Sequence, residues 1–77
     1  MGNIDMLTFK RIKEEKDAFI YEYYPEGNTD APGIVKLYHN GDAEMVKQSD
    51  DDFKMFYGGH ALWHIDKTKT SGTIAWY

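Results

Sequence analysis

The chain has no cysteine. That excludes disulfides and thiolate-bound metal as sources of stability, and it fits a reducing compartment. Proline is scarce: Pro25 and Pro32 are the only two, and both fall in one loop. Long apolar runs are missing, and none approaches the roughly 20 residues of a membrane-spanning helix. Basic charge is in deficit. Nine Lys and Arg against thirteen Asp and Glu leave a net charge of −4. Such a balance argues against a general binder of phosphate backbones, which needs a basic surface. The segment Met1-Gly2-Asn3-Ile4-Asp5-Met6 has no basic stretch leading into an apolar one, so no signal peptide is expected. The expectation is a single small domain, 1–77, in the cytoplasm.

Aromatic residues, at 16%, are what the chain has in quantity. A domain of 77 residues buries a modest share of its surface and is marginally stable. Large rings compensate, because each removes much apolar area from water. Self-association is the other common compensation at this size.

Hydrophobic periodicity predicts four strands, a helix and a fifth strand. Leu7 to Lys13 alternates until Ile12 falls out of phase, which predicts a bulge. Ala18 to Tyr24 alternates cleanly, with Phe19, Tyr21 and Tyr23 on one side and Ala18, Ile20, Glu22 and Tyr24 on the other. Both rows carry large apolar groups, which predicts a central strand partly covered on both faces. Residues 25–33 form the one sizeable loop. Ile34 to His39 and Asp42 to Gln48 read as a hairpin. A two-residue Asn40-Gly41 turn would set Leu37 opposite Glu44 and Val35 opposite Val46. Val35, Leu37 and Val46 are then the expected inward residues.

Ser49-Asp50-Asp51-Asp52 supplies cap oxygens and first-turn negative charge for a helix. Phe53, Tyr57, Ala61 and Ile65 recur every four residues, flanked by Phe56 and Leu62, as on a helix laid across a sheet. Gly58-Gly59 sits inside it, which predicts close backbone approach or a kink. Thr73 to Tyr77 is rich in strand formers, and Ile74, Ala75, Trp76 and Tyr77 are expected to dock rather than fray. The fold class is α+β: an antiparallel sheet of about five strands with one amphipathic helix on a face, in the order ββββαβ.

The run Tyr57-Gly58-Gly59-His60-Ala61-Leu62-Trp63-His64-Ile65, followed by Gly72-Thr73-Ile74-Ala75-Trp76-Tyr77, resembles the C-terminal end of small proteins of Gram-positive bacteria and their mobile elements. It covers roughly the last third of the chain. The resemblance implies a bacterial, intracellular, stand-alone domain and brings no catalytic residue with it.

Few constellations carry chemistry. His60 and His64 share a helix face, but no Glu follows the first His, and only His39 is available as a third ligand. No metal is expected. Ser49 and Ser71 occupy cap and loop positions, and no carboxylate pair is placed for acid–base work, so no enzyme activity and no cofactor are expected. Asp50, Asp51 and Asp52 read as helix-cap chemistry rather than as part of a surface mimicking nucleic acid. Tyr21, Tyr23, Tyr24, Tyr38, Trp63 and Trp76 are the candidate binding residues. Lys10, Arg11, Lys13 and Lys16 lie near the first turn and add local positive charge. The leading expectation is a non-enzymatic module that binds a protein partner or itself, with a possible homodimer. The alternative is a nucleic-acid role, by aromatic stacking or by acidic mimicry. No small-molecule ligand and no membrane are expected.

Overall fold

The structure, a computed structural model, describes residues 5–76, so the expected docking of Tyr77 lies outside the described residues. Four strands run as successive antiparallel neighbours: β1 (Asp5–Glu14), β2 (Ala18–Pro25), β3 (Gly33–Tyr38) and β4 (Ala43–Lys47). A 3-10 turn at Phe53–Met55 leads into the helix α1 (Phe56–His64). The fifth strand, β5 (Ser71–Trp76), returns to pair antiparallel with β1. The sheet order is β4-β3-β2-β1-β5, so β2 is central as its alternation predicts. This is the expected α+β architecture, and no helix among the described residues is long and apolar enough to cross a membrane.

The core lies between one sheet face and α1. Leu7 and Phe9 from β1, Tyr21 and Tyr23 from β2, and Val35 and Leu37 from β3 are buried together with Ala61 and Ile65. The opposite face presents Ile20, Glu22, Tyr24, Ile34, Lys36 and Tyr38, all half-buried. It carries no helix among the described residues, so the central strand is fully covered on one side only. The β1 register shifts between Arg11 and Lys13, and Ile12 is exposed there, so the predicted bulge is present.

The hairpin differs from expectation by one residue. Tyr38 N–H donates to the Asp42 carbonyl at 2.9 Å, and Gly41 N–H donates to the Tyr38 carbonyl at 3.1 Å. His39-Asn40-Gly41 is therefore a three-residue loop, and Gly41 alone takes the left-handed region, at φ 101°. The Asn40 side-chain oxygen accepts from Asp42 N–H at 2.9 Å and holds this form. A one-residue slip reverses the faces of a strand. Leu37 thus pairs with Ala43 and Val35 with Met45. Met45 packs against the core, whereas Val46 is exposed.

The helix also starts later than predicted. Lys54 (φ 61°) and Met55 (φ 58°) are left-handed, which separates the Phe53 turn from α1. Phe53 is 80% exposed and is not part of the core. Gly58 is buried, and a Cβ built there meets the Met45 methyl and lies 2.8 Å from an Asp52 carboxylate oxygen. Close approach, not a kink, is the reason for this glycine, and α1 runs through it unbroken.

Candidate functional site

The side of α1 toward the sheet carries Gly58 and Ala61, with Tyr57 and Leu62 partly buried against the core beside them. Gly58 and Ala61 are buried, which lets the helix backbone settle on the strands. The outer side then holds Met55, Phe56, Gly59, His60, Trp63 and His64 around a shallow, open groove of about 660 Å³. Trp63 is 82% exposed, and Phe56 is half exposed. Phe53, Met55, Phe56 and Trp63 place four large apolar side chains in solvent within one short segment. Met55, Phe56 and Trp63 line the same groove, and exposed apolar surface gathered in this way is a hallmark of an interaction site.

The base of the patch is an aromatic stack. The His60 imidazole lies on the Trp76 indole, with centroids 3.7 Å apart and planes 13° apart. His64 stacks on His60 at 5.5 Å. Phe56 and Tyr57 meet Trp76 edge-on at 5.7 and 5.6 Å. Trp76 therefore joins β5 to α1, and its buried indole N–H has no hydrogen-bond partner among the described residues.

A buried polar network fixes the helix. Asp52 is 2% exposed. Its carboxylate accepts from Tyr57 N–H and Gly58 N–H, both at 2.8 Å, and from the Tyr23 hydroxyl at 2.7 Å. It thus caps the first turn of α1 from beyond the left-handed turn. The Tyr23 oxygen also accepts from Ser49 N–H at 3.1 Å. Burial, reinforced by the Asp52 bond, pushes the Tyr23 phenol well above its ordinary pKa. Nearby, the Tyr57 hydroxyl donates to Glu26 at 2.9 Å. Burial and that carboxylate push its pKa up to about 12.

The six candidate binding residues fall in three places. Tyr21 and Tyr23 are core residues with no exposed surface, so their rings are closed to a partner. Tyr24 and Tyr38 lie on the open sheet face, half-buried, and donate to Glu22 at 2.8 Å and Glu44 at 3.0 Å. Trp63 and Trp76 are at the α1 patch. No single stacking platform results. The helical stripe places Phe53 and Phe56 in the core and gives no sign of Met55, whereas all three are exposed. The small Gly58 and Ala61 were the available signal for the inner face.

The other constellations also separate. His39 packs edge-on against Phe19 at 4.6 Å, and His60 and His64 belong to the aromatic stack. Among the described residues no three His, Asp or Glu side chains are grouped to hold a metal. Asp52 is buried and Asp51 accepts from the Asn28 amide at 2.6 Å, so the acidic run does not spread across a face. Arg11 turns inward, its guanidinium 3.7 Å over the Phe19 ring. Lys13 and Lys36 both reach Glu15, at 3.5 and 2.9 Å. The cationic cluster near the first turn is therefore partly neutralised. Compared with protein-family models, curated proteins and solved structures, the chain has no match in any of the three.

Proposed function

We propose that this chain is a non-enzymatic module of the bacterial cytoplasm that works by binding protein through the outer face of α1. One observation supports the reading above the rest. Phe53 and Trp63 stand almost fully in solvent on a domain that has few large apolar residues to spare. Aromatic side chains bury on the order of 150–250 Å² each and dominate binding energy at interfaces. Trp63, free of the stack below it, is the expected anchor. The glutamates bonded to Tyr24 and Tyr38 make the open sheet face a poor surface for nucleic acid, which favours protein over the alternative.

The test is affinity capture from the native host with the whole chain as bait. Trp63→Ser and Phe53→Ser should release a specific set of proteins while leaving the melting curve unchanged. If the same proteins remain bound to both variants, or if the parent chain retains none, α1 is not the contact surface.

A further inference from the structure

The two edges of the sheet are built differently. β4 carries Glu44 and Lys47, and its register against β3 slips between Ile34 and Val35. Charges and bulges of this kind keep an edge from pairing with other strands. β5 reads Ser-Gly-Thr-Ile-Ala-Trp, with no charge, no proline and an unbroken register against β1. Arg11 N–H donates to the Thr70 carbonyl at 2.7 Å. Hydrogen-bonded pairs alternate along an antiparallel ladder, so Gly72, Ile74 and Trp76 also turn their backbone groups toward β1. Ser71, Thr73 and Ala75 turn theirs outward, and among the described residues no strand receives them. Their side chains are exposed.

We propose that β5 pairs with β5 of a second copy of this chain, antiparallel about a two-fold axis at Thr73, so that one sheet runs through a homodimer. An antiparallel edge is self-complementary under two-fold symmetry, the commonest symmetry of oligomers. With Thr73 opposite itself, Ser71 falls opposite Ala75, and every outward backbone group of Ser71, Thr73 and Ala75 finds a partner. An axis at Gly72 instead sets Ala75 opposite Lys69, which lies before the start of β5. Thr–Thr pairs are favourable across strands. The facing residues carry no charge, so the net charge of −4 per chain meets no like charge at the axis.

The side toward α1 is complementary as well. Ile74 falls opposite Gly72 of the second copy. A Cβ at Gly72 would lie 2.8 Å from the tip of the Phe9 ring, so that ring fills the space of the missing side chain. Ile74 of one copy would then rest on Phe9 of the other. This contact uses the sheet edge and not the outer face of α1, so it stands independently of the function proposed above.

Sedimentation equilibrium and light scattering on the whole chain should give a dimer, against 9.0 kDa for one copy. Thr73→Pro removes an outward N–H, a place where an edge strand tolerates proline. It should leave the circular dichroism spectrum unchanged and yield a monomer. Thr73→Lys sets two ammonium groups opposite each other at the axis and should weaken the dimer about tenfold or more, an effect that added salt reduces. It carries the test if the proline variant does not fold. A parent chain that stays monomeric to its solubility limit overturns the proposal. So does a dimer that Thr73→Lys leaves intact, and one that Trp63→Ser dissociates instead belongs to α1.

Discussion

The Tyr23 hydroxyl donates to the Asp52 carboxylate at 2.7 Å and so ties the central strand to the helix cap. Removing it by Tyr23→Phe leaves Ser49 N–H without its acceptor and Asp52 with one donor fewer, both in buried surroundings. The expected cost is about 2–3 kcal/mol. Asp52→Ala removes three accepted bonds and should cost at least as much. Urea melts measure both. A loss below about 0.5 kcal/mol in either variant shows that the network contributes nothing to the fold.

Alkaline pH acts on the same tyrosines. The Tyr23, Tyr24 and Tyr57 phenols are all raised in the folded chain, chiefly by burial, the last two to about 12. The folded state therefore holds protons that the unfolded state releases near pH 10. Stability from these groups is full below pH 10 and falls as pH rises toward 12. Absorbance titration of the phenolates should show Tyr24 and Tyr57 ionising late, and Tyr57→Phe should remove part of the late phase. A single ionisation of all tyrosines near pH 10, with the chain still folded, contradicts this.

Adjacent glycines should respond with opposite sign. Gly58→Ala drives a methyl into Met45, Asp52 and Tyr23, and overpacking of this kind costs about 1–3 kcal/mol. Gly59→Ala meets nothing within 4 Å, so it should gain up to about 1 kcal/mol from helix propensity. Thermal denaturation of the pair decides it, and equal shifts in both variants would remove close packing as the reason for Gly58.

Phe53→Ala should change stability by less than about 0.5 kcal/mol, because the ring is 80% exposed. The helical stripe alone predicts a loss of about 3–5 kcal/mol for a buried ring. A urea melt separates the two outcomes directly.

Arg11→Lys should loosen the segment between α1 and β5. The Arg11 guanidinium donates to the Lys67 carbonyl at 2.6 Å and to the Tyr21 hydroxyl at 3.1 Å, and the Tyr21 hydroxyl itself donates to the Lys69 carbonyl at 3.0 Å. Lysine keeps the charge and loses the planar fork. Amide exchange across residues 66–70 should accelerate several-fold, with stability lower by about 1–2 kcal/mol. Unchanged exchange there would mean that the loop is held by other contacts.

Side-chain alternation is enough to read β1 with its bulge, the two rows of β2, and the overall order of elements, because burial on one face repeats every two residues. It does not say which row of β2 meets the core, since both carry large apolar groups, and so Tyr21 and Tyr23 stand among the candidate binding residues although both are fully buried. Asn40-Gly41 was ambiguous for a physical reason. Glycine at positive φ serves a two-residue turn and the last position of a three-residue loop equally well, and only the Tyr38–Asp42 pairing decides between them. The helix start was illegible because Lys54 and Met55 adopt a conformation unfavourable for both. The turn lies between Asp52 and the Tyr57 and Gly58 N–H groups that its carboxylate accepts from, and Asp52 is also tied to Tyr23, which is distant in sequence. Phe53 and Phe56 turned outward for the same reason, so the patch on α1 followed from a tertiary constraint that periodicity does not carry.

The pairing of β5 with β1 also bears on how the chain is made. During vectorial synthesis β1 to β4 can zip up as successive hairpins while β1 waits with one side bare. Asp5 meets Trp76 and Leu7 meets Ile74 only after the whole helix has left the ribosome. Until then Leu7 and Phe9 line an open strand edge, the kind of intermediate that aggregates or recruits a chaperone. Closure of this pairing between distant segments is the step expected to set the folding rate, since its loop entropy is spent before any contact rewards it.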